Sequence, residues 1–356
     1  MNHPLEPWLN EQADRVERIF QAHRITARVQ GGVVRLRVIH FHLALDRSML
    51  HRDLGTLEQD LAMALRVPSA RLVRRDGVLA LEIPRLDARP CSLVRLQAGL
   101  APLPPLTTLL GRDDDDRPLL LGLASPEVGH ILVTGKKDAG GTALLQALVT
   151  SLALASDPDD LRLVLVDLAG AVGPVQGLAA FAGLPHLLGP VLAGGEAAEK
   201  RLAWLVEEAA WREEVQVRTP TVIVALDHWE ALLEGRPAAA GLLARLLQAH
   251  PVGIHVLAAV NTAAAGRRAC GLADHFPCRI LGPGREAPEL TMPDDWLLLM
   301  AGERFRFTAA RVEPAEIEVM VELLQEQPHL QPPAAQAQGQ PRRRIPLLGR
   351  LWPQPL

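Results

Sequence analysis

Cysteine and lysine are both scarce in this chain of 356 residues, and no apolar run is long. Cys91, Cys270 and Cys278 form an odd, scattered set without metal-ligand spacing, which excludes a disulfide scaffold and fits three small apolar side chains in a reducing compartment. Apolar stretches are broken by charge or turn residues well before the roughly 20 residues that a membrane helix needs. Residues 1–15 lack the basic-then-apolar order of a secretory signal, so a cytoplasmic location is expected. Lysine occurs only at Lys136, Lys137 and Lys200, and arginine supplies every other positive charge, a bias that reads as base composition rather than phosphate recognition. Net charge is −4, which advertises neither a nucleic-acid binder nor an acidic tail for the chain as a whole. The charge is uneven, however: residues 1–97 carry 15 Arg against 11 Asp plus Glu, leaving the remainder at −8.

What is present is enough apolar material, 48% of residues, for two compact domains. Residues 1–97 read as a small α+β domain. Leu5–His23 has helical apolar spacing, Ile25–Val29 and Val33–Leu45 read as strands joined by a hairpin turn at Gln30-Gly31-Gly32, and a helix over Met49–Arg66 precedes a second hairpin, Ala70–Arg75 and Leu79–Ile83, turning at Asp76-Gly77. It contains no convincing catalytic set. His40 and His42 share a strand face but lack a third ligand, which leaves a metal site without support. The Pro-rich joint at 101–105 opens a linker and hairpin spanning 98–129, in which Asp113–Asp116 reads as a solvated turn rather than a calcium loop. From 130 to 327 the pattern changes to short continuous apolar runs, Ile131–Thr134, Leu161–Val166, Thr221–Leu226, Ile254–Val260 and Cys278–Leu281, separated mostly by helical stretches such as Ala143–Ala155 and Glu196–Glu214. Strands buried on both faces look like this, so the fold class is α/β with a parallel sheet. Residues 328–356, rich in Pro, Gln and Arg, are expected to be disordered; within them, 341–352 mix basic and apolar residues in the manner of a partner-docking peptide.

One segment carries chemistry. The strand Ile131–Thr134 runs into Gly135, Lys136, Lys137, Asp138, Ala139, Gly140, Gly141 and Thr142, and then directly into a helix. A phosphate-binding P-loop needs two glycines five apart, a Lys, and Ser or Thr, between a strand and a helix. Gly135, Gly140 and Thr142 are in register, and Gly141 stands where the Lys belongs. Such a loop turns backbone N–H groups toward phosphate, and the Thr hydroxyl would ligate Mg²⁺. Further on, the apolar strand Thr221–Leu226 ends in Asp227, the pattern of a Walker B carboxylate for Mg²⁺, followed by His228 where a water-orienting Glu is usual.

With the segments Gly111-Arg112-Asp113 to Arg117-Pro118, His130–Thr142, Leu161–Asp167, Leu184-Pro185-His186-Leu187-Leu188, Leu202–Arg212, Val222–Asp227, Gly253-Ile254-His255 and Phe276–Ile280, the chain resembles the FtsK/SpoIIIE family of hexameric, RecA-fold DNA translocases over about residues 5–325. The resemblance implies a RecA-like P-loop motor at 130–327 preceded by a small α+β domain, ATP and Mg²⁺ at subunit interfaces of a ring, double-stranded DNA in its pore, and a role in chromosome segregation. It implies nucleotide contacts from residues 135–142, Mg²⁺ contacts from Thr142 and Asp227, a sensor-like role for Asn261, and a structural or nucleotide-sensing role for His255. Gly141, His228, Ala169 and the segment Val260–Ala263 depart from the family pattern, and all lie on machinery, so weak or absent hydrolysis is expected. A ring made of this chain alone, a mixed ring beside an active motor in which it is a dead structural or regulatory subunit, and a module like a type VII secretion ATPase all stay open.

Overall fold

The computed structural model describes residues 6–35, 37–45, 55–75, 78–85, 90–125, 127–136, 139–168, 177–261, 271–288, 290 and 294–326. Near the N-terminus, α1 (Glu6–Ala22) and α2 (Gly55–Leu65) cover one face of an antiparallel sheet of β1 (Ala27–Val34), β2 (Val38–Leu45), β3 (Arg71–Arg75) and β4 (Val78–Pro84), in the order β1-β2-β4-β3. Val16 and Phe20 of α1 and Leu57 and Leu61 of α2 pack on Ile39, Phe41, Leu43, Leu81 and Ile83, so the 3.6-residue and two-residue periodicities meet in one core.

The expected turn at Gln30-Gly31-Gly32 is not one. Those residues lie inside β1, where the register shifts between Val29 and Gly31, and β1 and β2 pair antiparallel up to Val34 and Ile39, with the Arg35 N–H donating to the Val38 carbonyl at 2.9 Å. Adjacent glycines suit a bulge as well as a turn. Cross-strand pairing decides here, because Val33 and Val34 pair with His40 and Ile39 and extend the ladder.

The rest of the chain builds one large sheet. Its centre is parallel: β12 (Cys278–Leu281), β8 (Ile131–Gly135), β11 (Ile254–Asn261), β10 (Thr221–Asp227) and β9 (Leu161–Asp167) lie side by side in that order. Alternate residues face opposite ways. Ile131, Val133, Ile223, Ala225, Leu257 and Ala259 pack against α4 (Gly141–Ala155), whereas Leu132, Val222, Val224, Leu226, Val256 and Ala258 pack against α5 (Gly195–Val215), α6 (Trp229–Gly235) and α7 (Pro237–Leu246). Burial on both faces explains the continuous apolar runs. The Leu184–Leu188 segment earns its composition at the sheet edge: the His186 carbonyl accepts from Leu163 N–H at 2.9 Å, and the Leu188 N–H donates to the Leu163 carbonyl at 2.8 Å, so these residues cover the open side of β9.

Beyond β12 the sheet becomes antiparallel through β13 (Asp295–Met300), β14 (Glu303–Arg311), β6 (Thr107–Asp113) and β7 (Pro118–Gly122), with the short β5 (Cys91–Ser92) pairing parallel to β14 and leading into α3 (Leu93–Ala98). The hairpin around Asp113–Asp116 is thus part of the large sheet, with Asp113 Oδ1 accepting the backbone N–H groups of Asp115 and Arg117. Charged side chains join the two sheets. Arg306 of β14 reaches Glu82 of β4 at 2.8 Å and Asp295 at 2.7 Å, and Arg37 reaches Asp294 at 2.9 Å. Burial disfavours the charge on Arg306, but Asp295 and Glu82 outweigh it and raise its pKa. Cys91 and Cys278 are buried free thiols, while Cys270 and the tail at 328–356 lie outside the described residues. None of the described helices is long and apolar enough to cross a membrane.

Candidate functional site

Strand β8 ends at Gly135, and α4 begins at Gly141 after a left-handed Gly140 with φ 91°. Gly140 has no side chain with which to cap, and the first turn of α4 contains no acidic residue, so its leading N–H groups are left for an anion. Lys136 is exposed; Lys137 and Asp138 lie outside the described residues. A Cβ built at Gly141 meets nothing within 4 Å, so the missing lysine is not excluded by crowding. Beneath the loop sits Trp296, 1% exposed, against which a Cβ at Gly282 would lie 2.8 Å from the ring and one at Gly135 3.7 Å. Gly282 is thus a site of close approach that only glycine accommodates without movement.

Parallel pairing brings the motif ends together. Asp227 is in register with Asp167 on one side and Ala259 on the other, and Asn261 is in register with Gly135. The Thr142 hydroxyl donates to Asp227 Oδ2 at 2.8 Å, although 85 positions separate them. Asp227 is 1% exposed. This pair offers hard oxygen ligands of the kind Mg²⁺ prefers, beside the helix N-terminus, and so fits a nucleotide with its metal. Asp167 is differently engaged: its Oδ2 accepts the Leu178 N–H at 2.8 Å, with Gly177 pressed against the carboxylate.

His228 follows Asp227 in the left-handed region, φ 54°, at the start of α6. Its Nδ1 lies 3.1 Å from Asp227 Oδ1. The neighbouring Asp227 carboxylate raises the imidazole pKa against the opposing effect of burial, with smaller contributions from Glu230 and Asp167. Glu230 is a carboxylate that motif reading passes over. It is buried, its Oε2 has no hydrogen-bond partner, and its pKa is raised first of all by burial, while the backbone N–H groups of Glu230 and Asn261 work the other way. An acidic residue in a helix's first turn is ordinary in sequence. The chain sets it two residues after His228, and the fold buries it there.

His255 lies away from this edge. It is the second residue of β11, six residues before Asn261 and so about 20 Å from the loop at strand spacing. There it is buried; its Nδ1–H donates to the Gly129 carbonyl at 2.6 Å, and its ring lies 6.3 Å from that of His130. These contacts give His255 a packing role at that end of β11. His40 faces Glu82, its Nε2 3.5 Å from the carboxylate. Among the described residues no group of three His, Cys, Asp or Glu side chains is arranged to hold a metal ion. Ala169, Thr262 and Ala263 lie outside the described residues.

Comparison with known proteins agrees with this architecture. Residues 102–222 match the FtsK/SpoIIIE family model. The DNA translocase FtsK of Streptomyces avermitilis is 26% identical over 196 residues, covering 53% of this chain and 21% of the relative. This chain therefore spans about a fifth of that relative's length. The cytoplasmic domain of the type VII secretion ATPase EccC from Thermomonospora curvata superposes with a TM-score of 0.55 at 24% identity, covering 67% of this chain and 34% of that one. The pCW3 conjugation coupling protein TcpA, in a monomer form with ATPγS, gives a TM-score of 0.51 at 14% identity, covering 88% and 99%. At those identities the structural likeness establishes the P-loop ATPase fold, and over residues 102–222 the chain is similar to the FtsK/SpoIIIE family.

Proposed function

We propose that this chain is a translocase-type ring subunit that cradles ATP at the N-terminus of α4, engages double-stranded DNA, and hydrolyses nucleotide weakly or not at all. The Thr142–Asp227 contact at 2.8 Å carries the reading, because it sets two metal-ligand oxygens beside an uncapped helix N-terminus. Backbone N–H groups of residues 140–142 would hold the phosphates, and Thr142 and Asp227 would hold Mg²⁺. When bound, Mg²⁺ supplies positive charge to the β- and γ-phosphates.

The chain's own residues limit the chemistry. Gly141 offers no cation to the phosphates; one such contact near 4 Å is worth about 4 kcal/mol at an effective dielectric of about 20, before desolvation. His228 carries no negative charge with which to orient water as Glu would. The subunit would work in the cytoplasm, in a ring of its own kind or beside an active motor. A second reading, a structural subunit or a secretion-ATPase-like module, draws on the likeness to EccC. Equilibrium binding of a fluorescent ATP analogue with and without Mg²⁺ tests the nucleotide reading. Saturable, Mg²⁺-strengthened binding supports it, and no binding at millimolar analogue removes it and leaves the structural reading.

A further inference from the structure

The helix that closes the described chain, α8 (Pro314–Glu326), is fixed by one face and unsatisfied on the other. Ile317, Met320 and Val321 are buried in the large core, and Gln325 Nε2 donates to the Gly183 carbonyl at 2.8 Å. On the outward face Ala315, Val319 and Leu323 recur every four residues, with Val319 and Leu323 53% and 56% exposed. Glu318, Glu322 and Glu326 form a second exposed row at the same spacing. Like charges four apart repel along a helix. Two of these carboxylates also sit near the C-terminus, whose partial negative charge favours cations, yet the last turn contains no basic residue. An apolar row beside an acidic row therefore calls for a cationic, apolar partner.

Such a partner lies in this same chain. Arg342, Arg343 and Arg344 are consecutive and are followed by Ile345, Leu347, Leu348, Leu351 and Trp352. We propose that residues 342–352 dock in cis on the outward face of α8, arginines on the glutamate row and apolar side chains on Val319 and Leu323. The 15 residues from 327 to 341 reach at most about 50 Å, against a helix length of about 20 Å, so the return is geometrically open. A tether of that length also holds the segment at an effective concentration in the millimolar range, so a contact too weak for free peptides suffices.

Hydrogen exchange of the α8 amides tests this in the full chain and in one ending at residue 341. Removing 342–356 should speed exchange over 319–326 by about fivefold or more, and a synthetic 342–356 peptide at millimolar concentration should restore protection. The combination Glu318→Lys, Glu322→Lys, Glu326→Lys should mimic the truncation, and adding Arg342→Glu, Arg343→Glu, Arg344→Glu should rescue it. Identical exchange with and without the segment overturns the proposal. Protection that vanishes on dilution assigns the segment to a second copy instead, and protection that needs added duplex DNA assigns it to nucleic acid; either result overturns docking in cis.

Discussion

Thr142 and Asp227 meet at 2.8 Å because β8 and β10 are parallel strands separated by one neighbour, β11, which brings the end of the phosphate loop beside the end of the Asp227 strand. If these oxygens share Mg²⁺, Asp227→Ala should abolish the Mg²⁺ dependence of ATP-analogue binding while leaving any metal-free binding at the helix N-terminus in place. Titration of analogue fluorescence against Mg²⁺ in the two proteins checks this. An unchanged Mg²⁺ response in Asp227→Ala would remove the carboxylate from the metal site.

Gly141→Lys should raise nucleotide affinity by two to three decades, the rough equivalent of about 4 kcal/mol of charge contact after desolvation takes its share. Because the Cβ position is open, the substitution adds the cation without forcing the loop. The readout is a ligand-dependent rise in melting temperature, which follows mass action for a ligand bound only by the folded state. Hydrolysis should stay low until His228→Glu is added, since holding phosphate and orienting water are separate tasks. A folded Gly141→Lys protein with no thermal shift at millimolar ATP would mean that the cradle itself is altered.

Gly282→Ala should destabilise the fold by roughly 1–3 kcal/mol, the usual range for overpacking. Its new Cβ would lie 2.8 Å from the Trp296 ring, which is fully enclosed. Gly141→Ala, in open space, is the control and should be close to neutral. Urea midpoints at constant slope distinguish the two, and equal midpoints would show that Trp296 yields freely.

Acid should weaken this protein through its buried histidines. His130 is pushed down to about 3, first by burial and then by His255 and His250, and His255 is lowered mainly by burial. An unfolded imidazole takes up its proton below about 6.5, and the folded one resists, so stability falls as pH drops from about 6.5 toward 3 and is level above that window. His130→Leu should lower stability at pH 7, because His130 Nδ1 accepts the Val256 N–H at 3.0 Å, yet it should flatten the acid slope. Urea midpoints between pH 4.5 and 8 measure both effects. An acid slope as steep in the variant as in the parent would assign the protons elsewhere.

Duplex DNA binding, if present, must depend on arginine and should fall steeply with salt as counterions are released. With a net charge of −4, the isolated chain should bind weakly and without sequence preference. A gel-shift series from about 50 to 200 mM salt shows the trend. No complex at micromolar protein at any salt would remove DNA as a direct partner.

Much of the parallel sheet was legible because strands enclosed on both faces must be continuously apolar, and all five such runs became neighbouring strands within a residue or two of their expected ends. The strand–loop–helix unit at 131–155 was legible for a related reason: its glycines and Thr142 occupy fixed offsets between a strand and a helix. The β13–β14 hairpin was not. Its reversal uses Ala301 and Gly302, both at positive φ, and Ala301 gives no turn signal in sequence. Glu230 was missed for want of any local mark, and the place of Trp296 under the loop depends on β13 pairing with β12.

Sequence alone determined the local order of this protein: which runs are strands and where the glycine-containing loop opens into α4. Those properties depend on residues close along the chain. Tertiary structure decided the meeting of Thr142 with Asp227, the pairing of Arg306 with both Glu82 and Asp295, and the separation of His255 from the site. Each is set by strand order and register. A chain's local pattern leaves those undetermined, because contacts between distant residues form only when the whole sheet closes around its two cores.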